Sequence, residues 1–150
     1  MKELKKRLLF ILESPQGDFD SKLKKICQLL DQEIEHFNWT GFYFRNGDKE
    51  ELVIGPYVGA ETDHTVIPFG KGICGQVAVS NETFVVDDVN QESNYLACSI
   101  ETKAEIVVPI IKEGMNIGQI DIDSHTPNAF TSEDKELLEW LCEEIAKIIE

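Results

Sequence analysis

The stretch that decides the fold runs from Glu105-Ile-Val-Val-Pro-Ile-Ile111 through the link Glu113-Gly-Met-Asn116 to Ile117-Gly-Gln-Ile-Asp-Ile-Asp123. Both flanking runs are rich in β-branched residues, and a short Gly-containing link joins them. That pattern predicts two antiparallel strands in a hairpin. Pro109 has no backbone N–H, so we expect it at a position where the ladder needs none.

Further strands and helices extend in both directions from this hairpin. The aromatic run 39–45 ends at an Asn-Gly-Asp turn and predicts a second hairpin. Apolar residues recur at helical spacing near both ends of the chain. The expected strands are 39–45, 51–54, 64–67, 84–86, 105–111 and 117–123. The expected helices are 2–13, about 20–37, a short helix that segment 70–75 opens and that runs to about 80, and 132–150.

This order of elements predicts an α+β fold in a single domain over residues 1–150. About six antiparallel strands should form the sheet, with the N- and C-terminal helices packed on one face. The loops at 55–75 and 87–103 are then the candidates to cover the other face, and such a cover leaves a concave small-molecule pocket. Residues 88–98 are expected to be a polar loop with at most a helical turn.

Composition narrows the function. The chain has 150 residues and a net charge of −14, which argues against a nucleic-acid or anionic-lipid surface because such surfaces attract clustered Lys and Arg. No apolar run approaches the roughly 20 residues that span a bilayer. The N-terminal apolar run 8–12 is too short for a signal peptide. We therefore expect a cytoplasmic protein that binds neither nucleic acid nor membrane.

The four cysteines have different surroundings. Cys27 and Cys142 lie on or beside apolar helix stripes and are expected to be packing residues. Cys74 lies within the Gly-rich segment 70–75, where it is either a small apolar residue or a thiol favoured as thiolate by a helix N-terminus. Cys98 lies in a predicted loop and is less easily explained by packing. No CxxC spacing is present, so neither a metal site nor a cofactor is expected.

The Gly-rich segment 70–75 has two interpretations. It resembles a phosphate-binding loop but lacks the Gly-Lys-Ser/Thr ending. The alternative is that its glycines allow a tight turn and a close backbone approach.

A third group consists of acids on the central hairpin. Asp121 and Asp123 alternate along one strand and so share a face, and Glu105 lies on the partner strand. On a solvent-facing side these acids would be unremarkable surface residues. On a pocket-facing side, mutual repulsion and lost hydration would let one carboxyl hold a proton near neutral pH. A thiol opposite such acids could carry out acid-assisted chemistry.

Taken in order, these motifs resemble a GAF domain and, more narrowly, the free methionine-(R)-sulfoxide reductases. The resemblance covers roughly residue 38 to the C-terminus. The segments that carry it are Asn38-Trp-Thr-Gly-Phe-Tyr43, Gly55-Pro-Tyr-Val-Gly59, Ile67-Pro-Phe-Gly-Lys-Gly-Ile-Cys-Gly75, Leu96-Ala-Cys98, Ala104-Glu-Ile-Val-Val-Pro109 and Asp121-Ile-Asp-Ser124.

The resemblance implies a mechanism. Cys98 matches the cysteine that attacks the sulfoxide sulfur and becomes a sulfenic acid, after which a second cysteine closes a disulfide that thioredoxin reduces. Glu105, Asp121 and Asp123 match the positions that bind the substrate and help to protonate its oxygen. Trp39 and Tyr43 match aromatic residues of the pocket wall.

One position departs from the family pattern. His64 stands where members often have a cysteine, which leaves Cys74 as the expected resolving thiol. Either Cys74 resolves, or an external thiol does, or the domain is a non-catalytic small-molecule sensor. The family also implies a homodimer through terminal helices, and Leu4, Leu8 and Leu12 of the N-terminal segment 1–17 are the candidates for that contact.

Overall fold

A computed structural model describes residues 1–91 and 101–149. The strands are β1 Trp39–Arg45, β2 Glu51–Val58, β3 Val66–Pro68, β4 Phe84–Val86, β5 Ala104–Lys112 and β6 Met115–Ser124. The helices are α1 Lys2–Glu13, α2 Phe19–Glu33, α3 Gly72–Ser80 and α4 Ser132–Ile148, with a 3₁₀ turn at Val89–Gln91.

The six strands form one antiparallel sheet in the order β3-β2-β1-β6-β5-β4. The two longest strands, β5 and β6, lie inside the sheet with β1 and β2, and the short strands β3 and β4 form its edges. This arrangement confirms the α+β class and the expected strand number.

The central hairpin is tighter than its sequence suggested. Its turn is only Glu113 and Gly114, both with positive φ (53° and 78°), and Lys112 pairs directly with Met115. A two-residue turn of this kind matches the right-handed twist of the strands it joins. The ladder between β4 and β5 ends at Val107, so Pro109 lies beyond it, as expected.

The two faces of the sheet are covered differently. On one face, Ile106, Val108, Ile120 and Ile122 belong to the main apolar core with residues of α1, α2 and α4. On the other face, α3 and the strand residues around it form a second, smaller core. Alternation along the strands therefore directs the residues between those isoleucines and valines towards α3.

Two helix boundaries were predicted from the sequence, one correctly from a capping signature and one wrongly from apolar spacing. In α4, Thr131 and Asp134 form the expected capping box, with each side chain accepting the other residue's backbone N–H. In α2, the prediction of a helix to residue 37 is wrong, because the helix ends at Glu33 and Ile34 is extended. Phe37 is nevertheless buried in the core, so burial continues after the helix has stopped.

The proposed dimer contact on α1 also needs correction. Leu8 and Leu12 are fully buried in the main core, and Leu4 packs partly against it. Leu8 and Leu12 therefore pack within their own chain, against α2 and α4, and are not free to contact a second chain, whereas Leu4 is half-buried. The homodimer itself stays a prediction. Within residues 1–91 and 101–149, no helix has the length and apolar character needed to cross a membrane.

We expect Leu8→Ala to lower the free energy of unfolding by about 2–5 kcal/mol, because it opens a cavity in the main core. The matched control on the same helix is Phe10→Ala, whose side chain is 79% exposed and whose loss should change stability by about 0.5 kcal/mol or less. Urea unfolding measures both. A cost for Leu8→Ala no larger than that for Phe10→Ala would contradict this placement of α1.

Candidate functional site

The start of α3 is held close to the sheet by its glycines. Gly70 has a φ of +88°, and its N–H donates to the carbonyl of Gly75 at 2.8 Å. A Cβ added at Gly75 would lie 2.7 Å from the carbonyl oxygen of Pro68. A side chain is therefore excluded here, and the tight-turn interpretation of segment 70–75 is confirmed.

This turn places Cys74 over three carboxyl groups. Glu105, Asp121 and Asp123 all lie on the α3 side of the sheet and are only 2%, 1% and 1% exposed. Glu105 is the cross-strand partner of Asp123. The solvent-facing alternative for these acids is therefore wrong, and they are buried on the side where the pocket was expected.

The thiol and the acids are in contact. Cys74 Sγ donates to Asp121 Oδ2 at 3.3 Å. One donor atom each of Cys74, Glu105 and Asp121 lies within 4.8 Å of the other two. Gln119, on the same face of β6, donates from Nε2 to the carbonyl of Cys74 at 2.8 Å. The site thus combines one thiol with a cross-strand group of acids beneath the first turn of α3.

Burial is the largest cause of the pKa shifts of the acids at this site. It raises the pKa of Glu105 well above its usual range, and the charges of Asp121 and Asp123 raise it further. Burial also raises the pKa of Asp121, although hydrogen bonds from Glu105 and Cys74 oppose the rise. The site therefore favours a proton on Glu105, whereas Asp121 accepts hydrogen bonds from Glu105 and Cys74. This agrees with the pocket-facing alternative, in which one carboxyl holds a proton.

The prediction that Cys74 is favoured as a thiolate is wrong, for the same physical reasons. Its position near a helix N-terminus was expected to favour the thiolate. Instead, burial raises the pKa of the Cys74 thiol well above its usual value, and the carboxylates of Asp121 and Glu105 add to the rise. Burial, together with these acids, outweighs the partial positive charge of a nine-residue helix, so Cys74 rests as a thiol.

A small cavity of about 10 Å³ lies at the tips of these side chains, which is about the space of one water molecule. Tyr43 lines it and donates its hydroxyl to the carbonyl of His64 at 2.9 Å. Trp39 stacks beside Tyr43 with ring centroids 6.5 Å apart. The lining residues are Tyr43, His64, Ile67, Lys71, Gly72, Ile73, Cys74, Glu105 and Asp121.

Of the other three cysteines, two are described by the structure and one is not. Cys27 and Cys142 are buried in the main core, which confirms them as packing residues. Burial raises the pKa of Cys27 to about 12 and also raises that of Cys142. Cys98, the expected nucleophile, lies outside the described residues, and so does most of the polar loop predicted at 88–98.

Gln119 and Lys71 are site residues that the sequence interpretation missed. Gln119 alternates with Asp121 and Asp123 along β6, so the two-residue period could have found it. Lys71 immediately precedes α3 and lines the cavity while remaining exposed. Nothing in its sequence pattern distinguishes it from a surface lysine.

The chain is similar to known proteins in both sequence and fold. A family model described as "GAF domain" matches residues 17–150, so the chain belongs to the GAF domain family. The free methionine-R-sulfoxide reductase of Saccharomyces cerevisiae is 40% identical over 149 residues, covering 91% of this chain and 82% of that one. The enzyme of the same name from Escherichia coli is 32% identical over 138 residues, covering 92% and 82%.

Among solved structures, the free methionine-R-sulfoxide reductase of Neisseria meningitidis in complex with its substrate superposes with a TM-score of 0.87. It is 33% identical, and the match covers 96% of this chain and 86% of that one. Within the GAF domains, the chain therefore belongs with the free methionine-R-sulfoxide reductases, a family of oxidoreductases.

The buried acids make stability depend on pH. Because the pKa of Glu105 is raised in the folded state, the free energy of unfolding should fall as pH rises above about 4.5, the unfolded value. Glu105→Gln removes this contribution, so the fall should become shallower by up to about 1.4 kcal/mol per pH unit. Urea unfolding between pH 5 and pH 8 under reducing conditions measures the slope.

The control for this prediction is Glu136→Gln, because Glu136 is an exposed acid on α4. Its substitution should leave the pH dependence unchanged. Equal slopes for the wild type and Glu105→Gln would mean that Glu105 is ionised in the folded protein.

Proposed function

We propose that this chain reduces free methionine-(R)-sulfoxide to methionine, with Cys98 as nucleophile, Cys74 as resolving thiol and thioredoxin as reductant. The observation that carries the proposal is the group of buried acids with raised pKa values, Glu105 and Asp121, in contact with the Cys74 thiol. The named reductases that match most of the chain support it.

The chemistry needs acids of this kind. A sulfoxide sulfur becomes electrophilic when its oxygen accepts a proton or a strong hydrogen bond, and a thiolate is a suitable soft nucleophile. In the net first step, the sulfoxide and the Cys98 thiol become a thioether and a sulfenic acid. The substrate sulfur gains two electrons, and the cysteine sulfur loses two. Carboxyl groups that keep a proton near neutral pH can assist this oxygen transfer.

Cys74 is proposed to complete the cycle. Attack of its sulfur on the Cys98 sulfenic acid forms a disulfide and releases water, and a thioredoxin dithiol then reduces that disulfide. The resting thiol at Cys74 must lose its proton for this step, and the adjoining carboxylate of Asp121, 3.3 Å away, is an available acceptor. No other cysteine lies within the described part of the site, since Cys27 and Cys142 are in the opposite core.

The acids and aromatic residues also suit the substrate. A carboxylate that remains ionised supplies a countercharge for the ammonium group of a free amino acid. Tyr43, with Trp39 stacked beside it, offers an apolar surface for a thioether end. A molecule of this size exceeds the cavity of about 10 Å³, so binding must displace part of its wall. The segment 59–71 is the more exposed part of that wall.

The second candidate function is a non-catalytic sensor. His64 lines the cavity where family members often carry a cysteine, and GAF domains include proteins that bind ligands without turnover. The same pocket would then bind a small molecule and leave its sulfur chemistry unchanged.

The first test follows NADPH oxidation through thioredoxin reductase and thioredoxin. We expect consumption with free methionine-(R)-sulfoxide and none with the S epimer. Cys98→Ser should reduce the rate by more than about 1,000-fold, because the nucleophile is lost. Cys142→Ser, which changes a thiol in the main core, is the matched control and should keep the activity. Failure of the wild type with both epimers, in the thioredoxin system and with dithiothreitol, would favour the sensor.

A second test isolates the resolving step. Cys74→Ser should lose turnover with thioredoxin but retain it with dithiothreitol, because a small external thiol can reduce the sulfenic acid directly. Equal loss with both reductants would assign Cys74 to the first step, and no loss with thioredoxin would remove it from the cycle.

A further inference from the structure

Three side chains of the buried site together offer ligand atoms for a metal ion. Cys74, Glu105 and Asp121 come from α3, β5 and β6, and one thiol or carboxylate donor atom of each lies within 4.8 Å of the other two. A thiol and two carboxyl groups are ligand types that zinc accepts. Their spacing in the sequence gives no metal motif, because each ligand comes from a different element.

The distance between the thiol and one carboxylate suits a small tetrahedral ion. Zinc at about 2.3 Å from sulfur and about 2.0–2.2 Å from oxygen separates these two ligand atoms by roughly 3.5 Å. The Cys74 Sγ and the Asp121 Oδ2 are 3.3 Å apart. The cavity of about 10 Å³ beside them leaves space for one water as a fourth ligand.

Two buried oxygens point independently to a missing ligand. Glu105 Oε1 and Asp121 Oδ1 have no hydrogen-bond partner among the described residues, although their residues are 2% and 1% exposed. Buried carboxylate oxygens are normally hydrogen-bonded, ion-paired or bound to a metal. Among the described lining residues, Lys71 is the one lysine or arginine, and its side chain is exposed to solvent. The group therefore lacks a buried positive charge.

We propose that Cys74, Glu105 and Asp121 form a binding site for one thiophilic divalent cation of the zinc class in the reduced protein. The thiolate selects against Mg²⁺ and Ca²⁺, which prefer oxygen ligands alone. On binding, the Cys74 Sγ–H bond and any carboxyl O–H bond break, the protons go to solvent, and the metal–ligand bonds replace them. No oxidation or reduction is involved.

Metal binding does not depend on the reductase proposal, but one consequence does. If the chain is a reductase, a bound cation occupies the acids and the thiol that would act on the sulfoxide, so it should inhibit turnover. Metal binding is measured without substrate, and its outcome is therefore separate from that of the activity assay.

The probe is Co²⁺, added to protein that has been reduced with a phosphine and freed of other thiols. We expect one Co²⁺ per chain, with visible absorption typical of tetrahedral cobalt and a thiolate-to-cobalt charge-transfer band in the near ultraviolet. Stoichiometric Zn²⁺ should abolish both signals, whereas excess Mg²⁺ should not. Zn²⁺ should also raise the unfolding temperature of the wild type, because it binds only the folded site.

Matched variants identify the ligands. Cys74→Ser should lose the charge-transfer band, and Asp121→Asn should retain the thiol but weaken Co²⁺ binding by at least about tenfold. Cys142→Ala, which removes a thiol from the main core, should bind as the wild type does. Thermal unfolding of each variant without metal shows that it is folded. The proposal is overturned if no band forms, if Zn²⁺ leaves the wild-type unfolding temperature unchanged, or if the band survives Cys74→Ser and is lost in Cys98→Ser.

Discussion

Everything at this site depends on the burial of negative charge on one face of a β-hairpin. Glu105, Asp121 and Asp123 are brought together by the register of β5 and β6 and are closed off from water by α3. An isolated buried carboxylate costs far more free energy than the net stability of a domain. The protein must therefore supply protons, hydrogen bonds or a bound cation, and each of these compensations has a possible functional use.

The opposite face of the sheet makes this cost tolerable. There, Ile106, Ile120 and Ile122 alternate with the acids and pack into the main core with α1, α2 and α4. Each buried apolar side chain contributes about 1.5–3 kcal/mol, and that face contains many of them. One face of these two strands thus contributes apolar side chains that stabilise the domain. The other face holds the buried acids, which destabilise it but are chemically useful.

Much of this was predictable from the sequence because the decisive signals are periodic. The two-residue period of β6 put Asp121 and Asp123 on one face, and the Gly-rich segment indicated a close approach by α3. What the sequence could not give was the balance of opposing effects at Cys74. A helix N-terminus favours the thiolate, whereas burial beside Asp121 and Glu105 disfavours it, and only the distances and burial decide between them.

The predictions for the end of α2 and for the role of α1 failed for a related reason. Apolar residues at helical spacing indicate burial, and burial continues at Phe37 after the helix has ended. Leu8 and Leu12 had no evident partners in the sequence because their partners lie on α2 and α4, distant along the chain. Local pattern identifies which residues are buried, but only tertiary packing shows what buries them. That is also why a thiol from α3 and acids from two strands form one site although no linear motif contains all three.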